Sequence, residues 1–179
     1  DKVPMTKEEI RHLSICKLKL VENSVVFDIG CGTGSISIEA AAMSPDIKVY
    51  AIETNPDAVN LTKQNCKKQN LANVKVIENL APSGFDNLPV PTNVFIGGSK
   101  GNLREIIQSL ADKMSGMRIV INAVSLETIA EVSNIADDFN ISDFEAVCIN
   151  VGKAKKIGGY HLMQANNPVY IFSFDLQAE

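Results

Sequence analysis

The 179-residue sequence predicts an α/β protein in which a mostly parallel, seven-stranded sheet carries helices on both faces. Three observations support this prediction. Short apolar runs alternate with helical patterns along most of the chain, the first run ends at a glycine cluster, and the last two runs have no helix between them. Strand–helix alternation favours a parallel sheet, and a final pair without a crossover helix adds an antiparallel edge. We expect residues 1–179 to form one domain.

The first predicted elements surround the glycine cluster. Thr6 to Glu9 fits a capping box, in which a threonine hydroxyl caps the first turn of a helix, and the apolar spacing continues this helix to Leu20. Asn55 and Pro56 supply the cap and first-turn proline of a later helix, which should end near Asn70. The elements predicted between these two helices are a buried strand at 25–29, a helix at 35–43 and a strand at 48–52.

The second half of the chain follows the same alternation until its last forty residues, roughly, where no further helix is predicted. A proline- and glycine-rich loop over 82–91 separates two of its strands. The runs at 144–151 and 169–174 alternate like β structure, with 152–168 as the connection between them. The remaining elements are strands at 74–77, 93–96 and 117–121 and helices at 103–110 and 126–139.

Composition and charge exclude several classes of protein. Hydrophobic residues make up 45% and charged residues 21% of the chain, which are ordinary values for a globular protein. The net charge of −4 argues against a general nucleic-acid binder. No apolar run is long enough to span a membrane. The four cysteines lack the spacing of zinc ligands, so we expect no metal site and a reduced, cytoplasmic protein.

A glycine-rich turn follows the first predicted strand. Residues 28–34 read D-x-G-x-G-x-G, which differs from the G-x-G-x-x-G of dinucleotide sites. Glycines allow the backbone to approach a ligand closely. The carboxylate of Asp28 at this turn favours a cationic ligand, such as the ammonium of a methionyl group, and would repel phosphate. The pattern therefore predicts S-adenosylmethionine as the cofactor of a Rossmann-like methyltransferase.

Glu53, at the end of the second strand, is the second element of this predicted site. Its carboxylate can accept hydrogen bonds from both ribose hydroxyls, as the acidic residue of Rossmann-type sites does. Either feature alone is common, because glycine turns recur in many proteins and strand-end charges are usually solvated. The two together, in this order, predict a nucleoside-containing cofactor.

These residues, together with further segments along the whole chain, resemble the CbiT-type enzymes of cobalamin biosynthesis. These are the cobalt-precorrin C(15)-methyltransferases (decarboxylating), which also occur as the C-terminal half of the precorrin-6Y methylase. The Pro-Met-Thr-Lys and Ile-Gly-Gly-Ser segments are the most specific of the matches. The matching segments are 4–11, 27–35, 51–53 with 55–56, 95–99, 122–124 with 126–128, and 167–169.

The resemblance implies the reaction and the assembly. It implies methylation of C(15) of a precorrin-6B/7 tetrapyrrole, with or without cobalt, and decarboxylation of its ring C acetate. It also implies a homotetramer and a functional pairing with a C(5)-methyltransferase. The residues that it places at the cofactor are Thr6, Gly30, Cys31, Gly32, Thr33, Gly34, Glu53 and Ala81.

The chain departs from the family pattern at two places. The family's Gly-Asp-Ala-Pro is here Asn-Leu-Ala-Pro at 79–82, so the adenine contact is expected from the backbone of Ala81. The family's Gly-Gly-Ser-Gly-Gly is here Gly-Gly-Ser-Lys-Gly at 97–101, which adds the cation of Lys100.

A polycarboxylate substrate requires local cations in an acidic protein. Two groups are candidates: Lys153, Lys155 and Lys156 in the densest basic stretch, and Lys100 with Arg104. The first group is equally well explained as a solvated loop, and Asn122 either forms a turn or faces the substrate. Gly97, Gly98 and Gly101 can offer backbone amides to an anion at a helix start, and Ser99 is a further candidate for contact with the substrate. The catalytic residues stay unassigned, because the sequence contains no obvious acid–base pair or Ser–His–Asp set.

Three other functions are weighed against this one. A methyltransferase acting on RNA, DNA or another small molecule shares the glycine turn, although the Asn/Asp-Pro-Pro-Tyr/Phe motif of base methylation is absent after strand four. A nicotinamide-dependent oxidoreductase should carry a pyrophosphate fingerprint and a proton donor, and neither is visible. A non-catalytic cofactor-binding subunit fits the same residues and differs only in lacking methyl transfer.

Overall fold

The computed structural model describes residues 3–113 and 116–177. None of the helices in these two stretches combines the length and the apolar character that crossing a bilayer requires. The helices are α1 (Glu8–Leu18), α2 (Ser35–Met43), α3 (Pro56–Lys68), α4 (Leu103–Ala111) and α5 (Leu126–Asp138). The strands are β1 (Val25–Ile29), β2 (Lys48–Glu53), β3 (Val74–Glu78), β4 (Asn93–Ile96), β5 (Met117–Ala123), β6 (Ile141–Ile149), β7 (Gly152–Ile157), β8 (Tyr160–Ala165) and β9 (Val169–Leu176).

Seven of these strands form one sheet in the order β3-β2-β1-β4-β5-β9-β6. The pairs among the first five are parallel, whereas β9 runs antiparallel to both of its neighbours, β5 and β6. The predicted seven-stranded, mostly parallel sheet with an antiparallel component is confirmed. Because β1, β2, β4 and β5 are parallel, their carboxyl ends and the loops that follow them meet at one edge.

Of the two helix caps predicted from the sequence, the one at α3 is correct and the one at α1 is wrong. The side chain of Asn55 accepts a hydrogen bond from the Asp57 amide at 2.9 Å, and Pro56 occupies the first turn of α3. The capping box at Thr6 is wrong, because α1 begins at Glu8 and Lys7 stands at the cap position without a side-chain hydrogen bond. Thr6 lies one residue too early for its hydroxyl to cap this helix.

The segment between β6 and β9 is more regular than the sequence pattern indicates. Residues 152–168 are predicted as a connection, and they contain the antiparallel hairpin β7–β8, which forms a sheet of its own. Its turn is Gly158-Gly159, with Gly158 at a positive φ of 62°. Two-residue glycine turns are a hairpin signal, and this one is obscured by the lysines that dominate the strand before it.

Each face of the main sheet carries its own hydrophobic core. Successive strand residues point to opposite faces, so Val26 packs with α1 and α2 while Phe27 packs with α4 and α5. Ile15 and Leu18 of α1 are buried in the first core, and Ile106 of α4 in the second. The helices thereby cover the sheet and leave its carboxyl edge open to ligands.

Arg118 on β5 is a buried cation that joins three elements. Its guanidinium donates to the Lys17 carbonyl at the end of α1 and to the Ser173 hydroxyl on β9, both at 3.0 Å. It also pairs with Asp143 on β6 at 3.0 Å and with Asp175 on β9 at 3.2 Å. The side chain is only 6% exposed, so these bonds replace most of its hydration.

Replacing this arginine should measurably destabilise the protein. We expect Arg118→Met to lower the free energy of unfolding by about 3 kcal/mol, because it leaves buried acceptors without their donor. The matched control is Lys19→Met, which removes an exposed ion pair to the same Asp143 and should cost less than about 1 kcal/mol. Urea unfolding measures both. Equal losses in the two variants would contradict the role given to Arg118.

Candidate functional site

A cavity of about 360 Å³ opens at the carboxyl ends of β1, β2 and β4. We call it the strand-end cavity. Five segments of the chain enclose it: the amino-terminal segment before α1, the glycine turn after β1, and the loops that follow β2, β3 and β4. Its lining includes Pro4, Thr6, Gly30, Cys31, Gly32, Glu53, Asn55, Asn79, Leu80, Ala81, Gly97, Gly98, Ser99 and Lys100.

The glycine turn packs directly against two other backbone segments. A Cβ added at Gly30 would lie 2.5 Å from the Gly98 carbonyl oxygen, so the β1–α2 and β4–α4 loops touch through a bare backbone. A Cβ at Gly32 would lie 2.6 Å from the carbonyl oxygen of Pro4. Both glycines have positive φ, 70° and 57°. Any side chain at either position would push apart the walls of the cavity.

The carboxylate of Glu53 connects the glycine turn with the end of β2. One oxygen accepts a hydrogen bond from the Gly32 amide at 3.0 Å. The other accepts from the amides of Thr54 at 2.8 Å and Asn55 at 2.9 Å. The residue is 9% exposed and lines the strand-end cavity. This carboxylate is therefore oriented by three backbone donors, and its remaining lone pairs are available to a ligand hydroxyl.

Asp28 has a different role from the one its position suggests. Its carboxylate is fully buried and accepts hydrogen bonds from the amide and the hydroxyl of Ser37 in α2. It does not line the strand-end cavity, so the expected direct contact with a ligand ammonium is wrong. Burial, opposed by the two Ser37 bonds and reinforced by the charge of Glu53, raises the pKa of Asp28 to about 6.

The end of the glycine turn also lies away from the cavity. Thr33 lines a separate open groove between α1, α2 and α3, and Gly34 packs against the side chain of Thr62. Thr62 in turn donates to the Gly32 carbonyl at 2.9 Å. Neither Thr33 nor Gly34 lines the strand-end cavity, and direct contact of these two residues with the cofactor stays a prediction. Cys31 does line it, and burial raises the pKa of its thiol.

The opposite wall of the cavity comes from the loop after β3. Asn79, Leu80 and Ala81 line it, and the Asn79 amide donates to the carbonyl of Glu53 at 3.0 Å. The Ala81 carbonyl accepts from the side chain of Asn102 at 3.3 Å, which directs this loop toward α4. Leu80 occupies the position of the aspartate in the family's Gly-Asp-Ala-Pro sequence. This wall is therefore more apolar than the family sequence predicts.

The loop after β4 contributes a cation but few free amides. Gly97, Gly98, Ser99 and Lys100 all line the strand-end cavity. The amides of Gly97 and Gly98 donate to the Ile29 carbonyl, at 2.9 and 3.4 Å, so the expectation that they bind an anion is wrong. Lys100 remains as the positive charge at this wall.

Arg104, the expected partner of Lys100, belongs to another surface. Its guanidinium pairs with Asp138 of α5 at 2.7 Å and lies 5.4 Å from the centre of the Phe139 ring. It lines neither the strand-end cavity nor the cavity beside it. Arg104 therefore joins α4 to the end of α5.

The three candidate lysines of the basic stretch lie on the β7–β8 hairpin. Lys153 pairs with Glu9 of α1 at 2.7 Å. Lys155 and Lys156 are exposed, and as neighbours in a strand they point to opposite faces of the hairpin. None of these three lysines lines the strand-end cavity, the groove at Thr33 or the cavity that contains Asn122. The stretch is a hairpin strand and not a loop, and binding of the substrate by these lysines stays a prediction.

Asn122, at the end of β5, lines a neighbouring cavity of about 310 Å³. The hydroxyl of Ser14 lies 2.8 Å from the Ile10 carbonyl and has one proton to donate. The amide nitrogen of Asn122 then donates to that hydroxyl oxygen at 3.0 Å, and its carbonyl oxygen is left to accept. The neighbouring cavity shares Pro4, Thr6 and Gly97 with the strand-end cavity.

Sequence reasoning missed several residues that line these cavities. Pro4 borders both of them, and Asn55 and Asn79 border the first. Pro4 lies in the specific Pro-Met-Thr-Lys segment, and Asn55 closely follows Glu53 at the end of the second strand. Both positions could therefore have been predicted as part of the site from the sequence. Asn79 had none beyond its place after a strand. No group of three or more metal-ligating side chains occurs within residues 3–113 and 116–177.

Comparison with known proteins gives consistent similarities. Residues 1–175 match the family described as precorrin methyltransferase domain. A curated relative from Methanocaldococcus jannaschii, named "Probable cobalt-precorrin-6B C(15)-methyltransferase (decarboxylating)", is 40% identical over 171 residues. The match covers 94% of this chain and 89% of that relative.

Two solved structures share the fold along nearly their whole length. The precorrin-6y C5,15-methyltransferase of Geobacter metallireducens has a TM-score of 0.90 at 38% identity, covering 98% of this chain and 92% of that one. The precorrin 8W decarboxylase of Methanobacterium thermoautotrophicum has a TM-score of 0.85 at 32% identity, covering 96% and 92%. The fold of the chain is therefore the class I methyltransferase fold.

The raised pKa of Asp28 predicts a measurable dependence of stability on pH. The folded protein holds a proton on Asp28 below about pH 6, whereas the unfolded chain takes one up only near its ordinary pKa of 3.8. Stability from this group therefore increases as the pH falls, by about 1.4 kcal/mol between pH 7.5 and pH 5. Asp28→Asn cannot titrate and should lack this increment in urea unfolding. The same pH dependence in both proteins would show that Asp28 is not the group responsible.

Proposed function

Because the chain belongs to the precorrin methyltransferase family, we propose that it is an S-adenosylmethionine-dependent C(15)-methyltransferase of cobalamin biosynthesis. Its substrate is a precorrin-6B/7 tetrapyrrole, with or without cobalt, and its reaction also removes the carboxylate of the ring C acetate. The observation that carries the proposal is the strand-end cavity, with the oriented carboxylate of Glu53 between the glycine turn and the loop at Ala81.

The residues of the strand-end cavity fit this cofactor. Glu53 accepts hydrogen bonds from the ribose hydroxyls, while Leu80 and the backbone of Ala81 bind the adenine. Thr6 and the turn at 30–32 hold the methionyl end, where the bare backbone of the glycines leaves room for it. When bound, S-adenosylmethionine supplies an electrophilic methyl group on a sulfonium. Phosphate has no equivalent place, because Glu53 lies at the centre of this wall.

The chain contributes position and charge to the reaction. S-adenosylmethionine held by Thr6, the turn at 30–32 and Glu53 would supply the methyl group to an electron-rich meso carbon of the tetrapyrrole. The acetate arm loses its carboxylate as carbon dioxide, the electron pair of its carbon–carbon bond passes into the conjugated ring, and a proton from solvent completes the methyl group that remains on the arm. Both steps require the acceptor to be held in line with the methyl group, which the wall shared by the two cavities allows. Lys100 supplies positive charge at the entrance, and Asn122 supplies a hydrogen-bonding group beside it.

We also propose a cytoplasmic protein that forms one domain over residues 1–179 and binds neither nucleic acid nor a membrane. The four cysteines are unpaired, which suits a reducing compartment, and the net charge of −4 disfavours a polyanion. Because the name of the Geobacter metallireducens relative contains both C5 and C15, we propose a functional pairing with a C(5)-methyltransferase.

The exposed β7–β8 hairpin supports a homotetramer. Ile157, Tyr160, Leu162 and Met163 are between 53% and 75% exposed on it. A hairpin without further packing is marginally stable in water, and a second copy of the chain would cover these side chains. Sedimentation should show a tetramer that dissociates in the double variant Leu162→Ser, Met163→Ser. A wild-type monomer would contradict this assembly.

The function is tested by cofactor binding and by turnover. Calorimetry should detect S-adenosylmethionine but not NAD, and the protein should transfer a labelled methyl group to the tetrapyrrole with release of carbon dioxide. Glu53→Gln should weaken cofactor binding by about 1.5–3 kcal/mol, because a charged acceptor of the ribose hydroxyls is lost. Glu78→Gln is the matched control, since Glu78 is an exposed carboxylate opposite Glu53 in the register of β2 and β3.

Two results would overturn the proposal. Binding of NAD without binding of S-adenosylmethionine would remove the methyltransferase assignment. Equal cofactor affinity in wild type and Glu53→Gln would show that Glu53 serves the backbone alone.

A further inference from the structure

The cavity beside the strand-end cavity has an unusual composition for a surface of an acidic protein. Among its described lining residues, Lys7 is the only charged one. The polar remainder consists of neutral groups, Thr6, Asn122, Asn166 and Asn167, and the rest of the lining is apolar apart from Gly97. A binding site with one cation, several amides and apolar walls is suited to an apolar ring that carries a carboxylate arm.

Lys7 is bound to a partner that a carboxylate can replace. Its ammonium donates to the side-chain oxygen of Asn166, a neutral acceptor. Asn166 is held in place by its backbone amide, which donates to the Val151 carbonyl at 2.8 Å. A hydrogen bond from an ammonium to a carboxylate is stronger than one to a neutral amide. A carboxylate ligand in this cavity would therefore replace the side-chain oxygen of Asn166 as the acceptor for Lys7.

Two of the charged residues near Lys7 in the chain already have ionic partners. Glu9 pairs with Lys153, and Arg11 pairs with Glu39. Arg11 also donates to the Thr6 carbonyl at 3.0 Å, which positions the backbone just before Lys7. Glu8 is exposed on the first turn of α1 and does not line this cavity. Within the described residues, Lys7 forms no ion pair with a carboxylate. A ligand carboxylate can therefore bind Lys7 without displacing another carboxylate.

We propose that the neighbouring cavity holds the reacting pyrrole ring of the acceptor and that Lys7 binds a carboxylate arm of it. The inference rests on the proposed function, because the walls shared at Pro4, Thr6 and Gly97 place this ring beside the methyl donor. A volume of about 310 Å³ accommodates one substituted ring, so the rest of the macrocycle stays outside.

The arm that Lys7 binds is one that stays on the product. An ammonium partner stabilises the negative charge of a carboxylate, and that charge is lost from the carboxylate as carbon dioxide forms. Binding the departing arm in this way would favour the ground state over the transition state and slow the reaction. Lys7 is therefore a binding residue that lowers KM, and its loss leaves kcat nearly unchanged.

The test uses pyrrole-3-propionate as a probe of one ring and one retained arm, with its uncharged methyl ester as the matched ligand. Protein saturated with S-adenosylhomocysteine is titrated and followed by NMR. The variants are Lys7→Met, Lys7→Arg and, as the control, Lys17→Met at the far end of the same helix. Lys17 pairs with Glu145 and lines neither cavity.

We expect Lys7→Met to bind the propionate about tenfold more weakly, whereas Lys7→Arg and Lys17→Met stay within about threefold of wild type. The methyl ester should bind all four proteins equally weakly. In turnover, Lys7→Met should raise the KM for the tetrapyrrole and leave kcat and S-adenosylmethionine affinity unchanged.

Three outcomes would overturn the assignment of Lys7. They are equal propionate binding in wild type and Lys7→Met, equal binding of propionate and ester in wild type, or a fall in kcat with unchanged KM. In each of them S-adenosylhomocysteine still binds, so the proposed function survives. Failure of S-adenosylhomocysteine to bind the wild type would instead contradict the proposed function itself.

Discussion

The carboxylate of Glu53 joins the ends of two neighbouring parallel strands through three backbone donors. It accepts from Gly32 in the turn after β1 and from Thr54 and Asn55 in the turn after β2. The Asn55 that donates to it also caps α3, so the start of that helix is fixed relative to the glycine turn. A buried carboxylate needs such donors, and here the same donors orient it toward a ligand.

Close backbone packing extends this arrangement to the rest of the site. Gly30 allows the loop after β4 to touch the glycine turn, and Gly32 allows the amino-terminal segment to do the same. Pro4 and Thr6 consequently belong to two adjacent cavities, although the whole of α1 separates them from the first strand in the chain. The two cavities are in contact because the glycines carry no side chains that would hold these segments apart.

The distribution of cations determines which cavity can bind an anion. An acidic chain has fewer positive than negative charges, and two of the cations expected at the site have other partners: Arg104 binds Asp138, and Lys153 binds Glu9. Lys7 and Lys100 remain, one at each cavity. Positive charge is thereby placed at each cavity while the net charge of the chain stays negative, which favours selective binding over general attraction of polyanions.

The sequence by itself determined the order and type of most elements, because apolar periodicity and caps act locally: β1, α2 and β4 have the predicted bounds, and Asn55 caps α3 as expected. It also indicated Glu53 and the turn at 30–32 as parts of one site. Only the tertiary structure decided that Asp28 faces α2 and that Lys153 lies on a hairpin beside Glu9. Both outcomes depend on contacts between segments distant in the chain, and side-chain direction follows from packing that no local pattern encodes.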